Sequence, residues 1–506
     1  MSDSRDKNSP VDVDHLKRCV HSSMPITFKT FTLPRETEEY LDGVLGVLLA
    51  ELGQERMKDP LAYCLRELTV NAKKANTKRV YFLERDLDLN DEDDYKKGME
   101  CFKANTLENI KHYLRRQKEM GLYIKVTFHT TGRTLVIRVR NNTDITRAEQ
   151  ARIYDRIARA RGFTSLEEAF DRMQDYVEGA GLGIVILILI LKKIGLSEDA
   201  FAVDMLEGET VATLTIPFDQ VHLDMIDQLT QAVVAEIESI PQFPENVVRL
   251  QKQIADPDAG LNDIAKQVSA DPSLTADLLK LVNSAQYMLP RRVDNIVKAV
   301  KLVGLKGLRN VLYSYGTQKI MHEKYDEMKQ LWAHSHRTAI YAYLLAKNLL
   351  RGEDLLDDVY AGGILHDLGK IIVSGLHGEL GNRLGALCRE KNIPLRMLEN
   401  LFIGLNHAEI GAMLATKWNF PEILVESIRY HHDPRGCRPE ARDIVFIVYL
   451  ANCVVNFEQE SISFEQIDAK ALKYFGIGNA AQFREVAERL AVGFSDQQRR
   501  IGADPS

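Results

Sequence analysis

The histidines of this chain are concentrated in one stretch of the sequence. Seven of the 13 lie between residues 334 and 432, and one of them, His366, is followed directly by Asp367. Imidazole and carboxylate groups are the usual ligands of zinc and related metals, and such an ion can polarise a phosphoryl group or activate a water molecule. The stretch therefore predicts the centre of a metal-assisted phosphohydrolase. The alternative is a set of core histidines that are satisfied by ordinary hydrogen bonds.

A second group of polar residues suited to chemistry lies nearer the N-terminus. Glu67 and Asn71 are one helical turn apart, so on a helix both side chains point to the same face. An amide there can complete the shell of a Mg²⁺ ion, and a carboxylate one turn away can polarise an attacking water. Further along, an apolar helix opens with three glycines whose backbone amides can approach a phosphate group: Gly179, Gly181 and Gly183.

The composition bounds the classes of function that the chain can have. Its 506 residues allow several domains, and its formal net charge of −7 gives no indication of a basic surface for nucleic acid. Six scattered cysteines without a CxxC spacing predict a reducing setting without disulfides. The polar N-terminus lacks the apolar core of a signal peptide, and the apolar run over residues 184–191 is too short to span a bilayer. We therefore expect a soluble cytoplasmic protein without membrane insertion or bound nucleic acid.

The elements that must position the N-terminal group of residues alternate between helix and strand. A charged segment over residues 1–25 lacks periodicity, so we expect a disordered tail. The elements predicted after it are helices over 37–52 and 58–75, strands over 79–84 and 210–216, and a β-hairpin over 123–140. Together they predict an α+β sandwich with one mixed sheet over residues 26–220.

A charged stretch interrupts this pattern between residues 88 and 121. Its amphipathic turns, rich in lysine and arginine, predict a solvated helical insertion. The alternative is an arm that binds a partner protein.

The elements that must position the histidines are all helical. After residue 221 the strand signals largely disappear, and short turns such as Asp271-Pro272 separate successive helices. This pattern predicts an all-α helical bundle over residues 221–455, followed by a helical extension over residues 456–506. Ligands carried by separate helices of a bundle can converge on one cavity.

The order of motifs in the N-terminal half resembles a known family. An ExxxNA helix with Glu67 and Asn71, then a hairpin, a GxGLG segment and a closing strand are similar to the ATP-binding domain shared by histidine kinases, gyrase-type ATPases and anti-sigma-factor kinases (the GHKL domain). The resemblance covers residues 35–218. It implies that Glu67 is the catalytic carboxylate, that Asn71 holds Mg²⁺, and that the phosphates of ATP are bound by Lys74, Gly179, Gly181 and Gly183.

One motif departs from the GHKL pattern. Where the family has Asp-x-Gly-x-Gly, this chain has Asn141-Asn142-Thr143-Asp144-Ile145. Asn141 can still accept a hydrogen bond from the adenine amino group, but both glycines are missing, and a tight turn that requires positive φ is strained without glycine. The two alternatives are a domain that binds a nucleotide and a retained fold that binds no ATP.

The C-terminal half is similar to the HDOD domain, a bacterial signalling relative of the HD phosphohydrolases. The resemblance covers residues 232–452 and is carried by five segments in order: Ile240-Pro241-Gln242-Phe243-Pro244, Ala270-Asp271-Pro272-Ser273-Leu274-Thr275, Val282-Asn283-Ser284-Ala285, Gly363-Ile364-Leu365-His366-Asp367-Leu368-Gly369-Lys370 and Trp418-Asn419-Phe420-Pro421. In the catalytic relatives, several histidines and two aspartates hold the metal. The resemblance implies the ligand set His334, His366, Asp367, His407, His431 and His432.

The last ligand of the catalytic relatives is altered in this chain. The position falls at Asn452, whose amide supplies no negative charge, and Asp443 is out of phase with that position on a continuous helix. The change weakens the prediction of a working hydrolase. It leaves open both metal binding and a purely structural role for the histidines.

The favoured function is that of a bacterial signal-transduction regulator. In this interpretation a nucleotide-binding, ATPase-like domain controls an HDOD protein-interaction domain. The alternatives are a metal-dependent phosphohydrolase or phosphodiesterase of the HD type and a protein serine kinase of the anti-sigma type. The expected cofactors are ATP with Mg²⁺ at the site of Glu67 and Asn71 and a divalent transition metal at the histidines. The expected partners are other signalling proteins, a nucleotide second messenger and, in a homodimer, a second copy of the chain.

Overall fold

The structure, a computed structural model, describes residues 12–163, 165–173, 182–243, 245–254, 256, 260–270, 272–283, 293, 295–324, 329–349, 355–377, 380–391 and 395–502. The chain divides into two compact units. The first contains Met1–Leu229 with Asn400–Phe402, and the second contains Thr230–Glu399 with Ile403–Ser506.

The first unit combines helices with one small sheet. Its described elements are α1 (Val13–His21), β1 (Ile26–Thr30), α2 (Arg35–Glu51), α3 (Lys58–Leu83), α4 (Glu92–Glu108), α5 (Ile110–Glu119), β2 (Ile124–Thr131), β3 (Thr134–Asn141), α6 (Arg147–Arg161), α7 (Leu166–Met173), α8 (Leu182–Lys193), β4 (Phe201–Leu206) and β5 (Glu209–Pro217). The predicted combination of α and β elements is therefore confirmed, and the finer assignment to the GHKL fold remains a prediction.

The five strands form one sheet in the order β1-β2-β3-β5-β4, and every pairing among these strands is antiparallel. The predicted mixed sheet is wrong. Strand β4 was not predicted; it reverses into β5 through Glu207 and Gly208, with φ angles of 54° and 77°. Two residues at positive φ form the tight turn that joins antiparallel neighbours. The sheet therefore consists of hairpins and their antiparallel neighbours.

The core of the first unit lies between one face of the sheet and its helices. Ile124, Val126 and Phe128 alternate along β2 and are at most 1% exposed. Residues 183–191 of α8 are all buried, as expected for a helix that is apolar on every side. The predicted buried helix is confirmed. It brings Gly183, at its N-terminal turn, into the interior of this unit.

Residues 79–84, which the sequence predicted as a strand, continue α3 instead. The β-branched and aromatic residues Val80, Tyr81 and Phe82 favour a strand locally. Their side chains are buried in a hydrophobic cluster with Tyr113 of α5. Tertiary packing therefore outweighs the local propensity.

The charged stretch over residues 88–121 is helical, as predicted, and forms α4 and α5. It is not fully solvated, because Tyr95, Met99 and Phe102 pack against the same hydrophobic cluster. One face of this insertion is therefore part of the core of the first unit.

The predicted disordered tail is corrected in part. Residues 1–11 lie outside the described residues, but α1 begins directly after Asp12, whose carboxylate accepts a hydrogen bond from the backbone N–H of His15 at 3.0 Å. Leu16 and Cys19 lie on one face of α1 and are buried. Val13, Leu16, Cys19 and Val20 recur at helical spacing, so the expectation of a segment without periodicity is wrong for residues 13–21.

The described residues of the second unit form helices and no strand, as the sequence predicted. Its elements are α9 (Asp224–Ser239), which starts within the first unit, α10 (Glu245–Ile254), α11 (Leu261–Ser269), α12 (Pro272–Asn283), α13 (Ile296–Lys324), α14 (Lys329–Leu349), α15 (Leu356–Leu365), α16 (Leu368–His377), α17 (Leu380–Lys391), α18 (Leu395–Phe402), whose last three residues belong to the first unit, α19 (His407–Lys417), α20 (Glu422–Tyr430), α21 (Arg442–Glu458), α22 (Ala469–Tyr474) and α23 (Ala480–Gly502). Among the described residues of the chain, no helix is long and apolar enough to cross a membrane.

Two glycines let the helices of the second unit approach one another closely. A Cβ atom added to Gly363 of α15 would lie 2.5 Å from Cα of Ala339 in α14. A Cβ atom on Gly369 of α16 would lie 1.9 Å from the backbone oxygen of His407 in α19. Both distances are far below van der Waals contact, so only glycine fits. The two close contacts bring together the helices that carry the predicted metal ligands.

Candidate metal centre

Asp367 is the centre of the histidine cluster. It lies at the junction between α15 and α16, directly after His366, and is 1% exposed. The other predicted ligands come from three further helices: His334 from α14, His407 from the first position of α19, and His431 and His432 from directly after α20. The structure therefore brings all six predicted ligands together, although they are spread over about a hundred residues of sequence.

The first carboxylate oxygen of Asp367, Oδ1, faces two buried histidines. The Nε2 atoms of His407 and His431 each lie 3.5 Å from it. Nε2 of His432 lies 2.8 Å from Nε2 of His407, and ligand atoms of these four residues all lie within 4.8 Å of one another. We call Asp367, His407, His431 and His432 the Oδ1 half-site. Three imidazoles with one carboxylate form a four-coordinate set of the kind that binds zinc and similar ions.

The second carboxylate oxygen, Oδ2, faces the other two predicted ligands. Nε2 of His366 lies 3.3 Å from Oδ2, and Nε2 of His334 lies 3.5 Å from it. The ammonium group of Lys370 also donates to Oδ2, at 2.7 Å. We call Asp367, His334 and His366 the Oδ2 half-site. A carboxylate with one oxygen in each of two ligand groups is placed where it can bridge two ions.

The outer nitrogens of three of the rings are held by hydrogen bonds. Backbone carbonyl oxygens accept from Nδ1 of His366 at 2.8 Å and from Nδ1 of His431 at 2.7 Å. The buried carboxylate of Glu399 accepts from Nδ1 of His407 at 2.6 Å. Because each Nδ1 carries the proton, each ring presents the lone pair of Nε2 to the centre. This is the tautomer that a metal ligand requires.

Three ligand atoms at the centre are buried without a hydrogen bond of good geometry. They are Nε2 of His366, Nε2 of His431 and Oδ1 of Asp367. A buried polar atom without a partner costs free energy, so such atoms call for a bound group that satisfies them. Nitrogen and carboxylate donors of this kind suit a divalent transition metal. The residues present therefore fit a bound ion.

The protonation states also suit metal ligands. Burial lowers the pKa of His334 to about 4 and that of His431 to about 3, and it lowers the pKa of His432 well below its ordinary value. Burial alone would raise the pKa of Asp367, but His366 and Lys370 hold it well below its usual range. Neutral imidazole and ionised carboxylate are the forms that bind metal.

In the first unit, three of the predicted nucleotide-site residues meet at one place. Nδ2 of Asn71 donates to Oε1 of Glu67 at 3.0 Å, and Glu67 is 7% exposed. A Cβ atom on Gly183 would lie 1.8 Å from the same Oε1. Glycine is therefore required for the first turn of α8 to rest on this carboxylate.

Asn141 lies at the end of β3 in a segment without the strain that the sequence predicted. It is 4% exposed, and its Nδ2 donates to Oγ1 of Thr143 at 2.5 Å. Residues 141–145 all have negative φ, so the predicted strained turn is wrong. A hydrogen bond of 2.6 Å from the hydroxyl of Thr210 to the carbonyl of Thr143 holds the backbone of this segment beside β5.

The remaining residues of the predicted nucleotide site are Lys74, Gly179 and Gly181. Lys74 is exposed on α3, one turn beyond Asn71. Gly179 and Gly181 lie outside the described residues.

Comparisons with known proteins identify the family. An uncharacterized protein of Treponema pallidum (strain Nichols) is 40% identical over 488 residues, which cover 96% of this chain and 95% of that protein. Residues 240–434 match the HDOD domain. The chain belongs to the family of the Treponema protein and contains an HDOD domain. The resemblance to HDOD in the sequence is thereby confirmed for residues 240–434, which include all six predicted metal ligands.

Several solved structures are similar to this chain over about half its length. An HDOD domain protein of unknown function from Geobacter sulfurreducens is 23% identical and covers 56% of this chain and 99% of its own, with a TM-score of 0.43. A candidate phosphohydrolase from Shewanella amazonensis SB2B is 23% identical and covers 54% and 97%, with a TM-score of 0.42. A candidate signal transduction protein from Marinobacter aquaeolei VT8 is 17% identical and covers 60% and 76%, with a TM-score of 0.42. None of these similarities bears on the activity of this chain.

The predicted position of the last ligand lies just beyond the matched HDOD residues, on α21. Oδ1 of Asn452 lies 3.1 Å from Nε2 of His334 and accepts a hydrogen bond of 2.6 Å from Nδ2 of Asn456. An amide oxygen therefore stands at the Oδ2 half-site. Asp443 accepts a hydrogen bond from the hydroxyl of Tyr474 instead.

Three residues that contact the candidate ligands or their neighbours were not predicted as site residues: Lys370, Glu399 and Asn456. Lys370 carried a signal, because its position three residues after Asp367 on a helix brings the two side chains together. Glu399 carried none. It accepts from both the backbone N–H and Nδ1 of His407, and only the packing of α18 beside α19 creates these contacts.

Proposed function

We propose that this chain is a signal-transduction regulator whose HDOD domain binds a divalent transition-metal ion among the histidines around Asp367. The observation that carries this proposal is the group of buried ligand atoms without hydrogen-bond partners, Nε2 of His366, Nε2 of His431 and Oδ1 of Asp367. One bound ion satisfies such atoms together. Histidines with a purely structural role would instead have both ring nitrogens in hydrogen bonds.

The arrangement around the centre suits the recognition of a phosphorylated ligand. When bound, the metal supplies a Lewis acid that attracts phosphate oxygens. The side chains of Lys370 and His334 are 31% and 14% exposed, whereas the side chain of Asp367 is fully buried. The solvent side of the centre therefore presents an ammonium group, which can pair with an anion. A nucleotide second messenger has the required chemistry.

Hydrolysis of a phosphodiester is the alternative function of the same centre. It is favoured by Asp367, whose two oxygens face separate groups of histidines. It is disfavoured by Asn452, because an amide supplies no charge at the position where the catalytic relatives have a carboxylate. A regulatory function without turnover is consistent with both observations. Turnover of bis(p-nitrophenyl) phosphate by the Mn²⁺-loaded chain, lost in Asp367→Asn, would reverse this preference.

Elemental analysis of the purified full-length chain tests the metal proposal. We expect bound Mn, Fe, Co, Ni or Zn in the wild type and its loss in Asp367→Asn. The control is Asp443→Asn on α21, which should keep its metal. We also expect chelation to lower the melting temperature of the wild type, because a ligand at 100 times its Kd stabilises the native state by about 2.7 kcal/mol. A chain that neither contains metal nor binds added metal contradicts the proposal.

For the first unit we propose that a nucleotide binds with Mg²⁺ and that this binding controls the HDOD domain. The specific observation is the meeting of Glu67, Asn71 and Gly183. The hydrogen bond to Glu67 uses the amide nitrogen of Asn71, so the carbonyl oxygen is the atom that it can offer to Mg²⁺. The first turn of α8 adds backbone amides that suit phosphate.

Titration with a fluorescent ATP analogue in the presence of Mg²⁺ tests this second proposal. We expect saturable binding by the full-length chain and at least a tenfold loss of affinity in Asn71→Ala. Asn109→Ala, which removes an exposed amide between α4 and α5, is the control. Control of the HDOD domain further requires that Mg-ATP change the proteolytic fragments of the chain. Absence of binding by the wild type refutes the proposal.

A further inference from the structure

The two half-sites around Asp367 are not equivalent. We infer that the centre holds one metal ion, in the Oδ1 half-site, and that the ammonium group of Lys370 takes the place of a second cation at Oδ2. This inference rests on the proposed function, because it assigns how the proposed metal is held.

The Oδ1 half-site is a complete ligand set. It offers three imidazoles and one carboxylate oxygen, with ligand atoms within 4.8 Å of one another. Nδ1 of His407 and Nδ1 of His431 both donate outward, so their Nε2 lone pairs face Oδ1 of Asp367. Nε2 of His432 then donates to Nε2 of His407 at 2.8 Å, and a bound ion would replace the proton of this one contact. Four ligands of this type satisfy a tetrahedral ion without any further protein group.

The Oδ2 half-site has lost part of its ligand set to internal contacts. Lys370 donates to Oδ2 of Asp367 at 2.7 Å, so an ammonium group already neutralises this oxygen. Nδ2 of Asn456 donates to Oδ1 of Asn452, which identifies the amide atom beside His334 as the oxygen. Since that oxygen is only an acceptor, Nε2 of His334 must donate to it at 3.1 Å. The lone pair of the His334 ring is then on Nδ1, and only His366 and Asp367 keep ligand atoms directed to this half-site.

The net charge of the cluster also favours a single bound ion. Among the described contacts of the cluster, the carboxylates are Asp367 and Glu399 and the ammonium is Lys370. One divalent ion leaves a net charge of about +1, and a second ion raises it to about +3 in a buried, weakly screened environment. Asn452 supplies no charge that would offset the second ion.

The number of ions bound by the full-length chain tests this inference. The chain is stripped with chelator and titrated with Co²⁺ alone, and binding is followed by native mass spectrometry and by the visible absorption of the ion. We expect one equivalent in the wild type. The double variant Asn452→Asp/Lys370→Gln, which restores the carboxylate and removes the ammonium, should bind two.

Single variants distinguish the half-sites if the double variant fails to fold. His432→Ala should lower the affinity for the one Co²⁺ ion at least tenfold, because it removes a ligand of the Oδ1 half-site. His334→Ala should change the affinity less than threefold, and His336→Ala, which removes a half-buried histidine outside the cluster, is the control for α14. Circular dichroism reports whether each variant is folded.

The outcomes separate this inference from the proposed function. Two equivalents in the wild type, or equal loss in His334→Ala and His432→Ala, overturn the one-ion assignment and leave the metal proposal standing. A folded double variant that still binds one equivalent also overturns it, because the roles of Lys370 and Asn452 would then be wrong. No Co²⁺ binding in the wild type contradicts the metal proposal itself.

Discussion

The contact between Glu399 and His407 allows a quantitative test of how the candidate metal centre is built. The carboxylate of Glu399 is 2% exposed and accepts two hydrogen bonds, at 2.6 Å from Nδ1 of His407 and at 3.1 Å from its backbone N–H. Burial alone would raise the pKa of Glu399, but His407 holds it below its ordinary value, so the group is ionised. Glu399→Gln keeps the size of the side chain and an acceptor oxygen while removing the charge.

The expected effect is a loss of metal affinity without a loss of fold. Replacing the outer partner of a ligating histidine costs roughly ten- to a hundredfold in affinity. A hydrogen bond to a charged acceptor is about twice as strong as one to a neutral acceptor. The amide oxygen of glutamine can still accept from His407, but only in the weaker, neutral form. We therefore expect a loss in the middle of the range, about 30-fold, which corresponds to about 2 kcal/mol.

Competition of the full-length chain against a chromophoric chelator measures this affinity. Glu409→Gln is the matched control, because Glu409 lies on α19, is not one of the six candidate ligands, and accepts a hydrogen bond from Asn406 at 2.7 Å. We expect the control to bind metal within about twofold of the wild type, a margin well below the effect of losing an outer partner. Wild-type affinity in a folded Glu399→Gln variant would refute the assignment of Glu399 as the residue that positions His407.

Three further predictions concern stability. Gly369→Ala should lower the free energy of unfolding in urea by roughly 3 kcal/mol, because its Cβ would lie 1.9 Å from a backbone oxygen, whereas Gly381→Ala, with 3.5 Å to its nearest side-chain atom, should change it little. Burial alone would raise the pKa of Glu149, but Arg79 and a neighbouring lysine hold it at about 2. The stabilisation from Glu149 is therefore present above pH 4.5 and lost as pH falls towards 2, so Glu149→Gln should destabilise the chain at pH 7 and hardly at all at pH 2 in thermal melts. Burial raises the pKa of Asp42 to about 6, which makes its ionised form costly; Asp42→Asn should raise the melting temperature at pH 8 and lose this advantage below pH 3.8.

Much of the second unit could be predicted from the sequence, because its local signals agree with its fold. Helical periodicity, short Pro- and Asp-containing turns and the segment from Gly363 to Lys370 all indicate a bundle, and residues 240–434 match the HDOD domain. The six candidate ligands could be named for the same reason, since their types and their order survive in the sequence. Their binding of metal remains a prediction.

The first unit shows where local signals fail. Residues 79–84 have the composition of a strand but form the end of a helix, because Val80, Tyr81 and Phe82 are buried by α4 and α5. Strand β4 was missed because its exposed half, Asp204–Leu206, does not alternate in polarity as a half-buried strand does. Val80, Tyr81 and Phe82 are therefore placed by partners that a local sequence window does not contain.

The sequence by itself determined which residues are available for chemistry: a histidine and carboxylate set in family order, with Asn452 in place of the last acid. Only the tertiary structure decided how Asp367 divides that set, with Oδ1 towards His407 and His431 and Oδ2 towards His334, His366 and Lys370. It also decided that Glu399 orients His407 and that Asn456 orients Asn452. The physical reason is that tautomers, hydrogen-bond partners and close glycine contacts depend on distances between helices. Those distances are set by the packing of the whole bundle and are not encoded in any local spacing of residues.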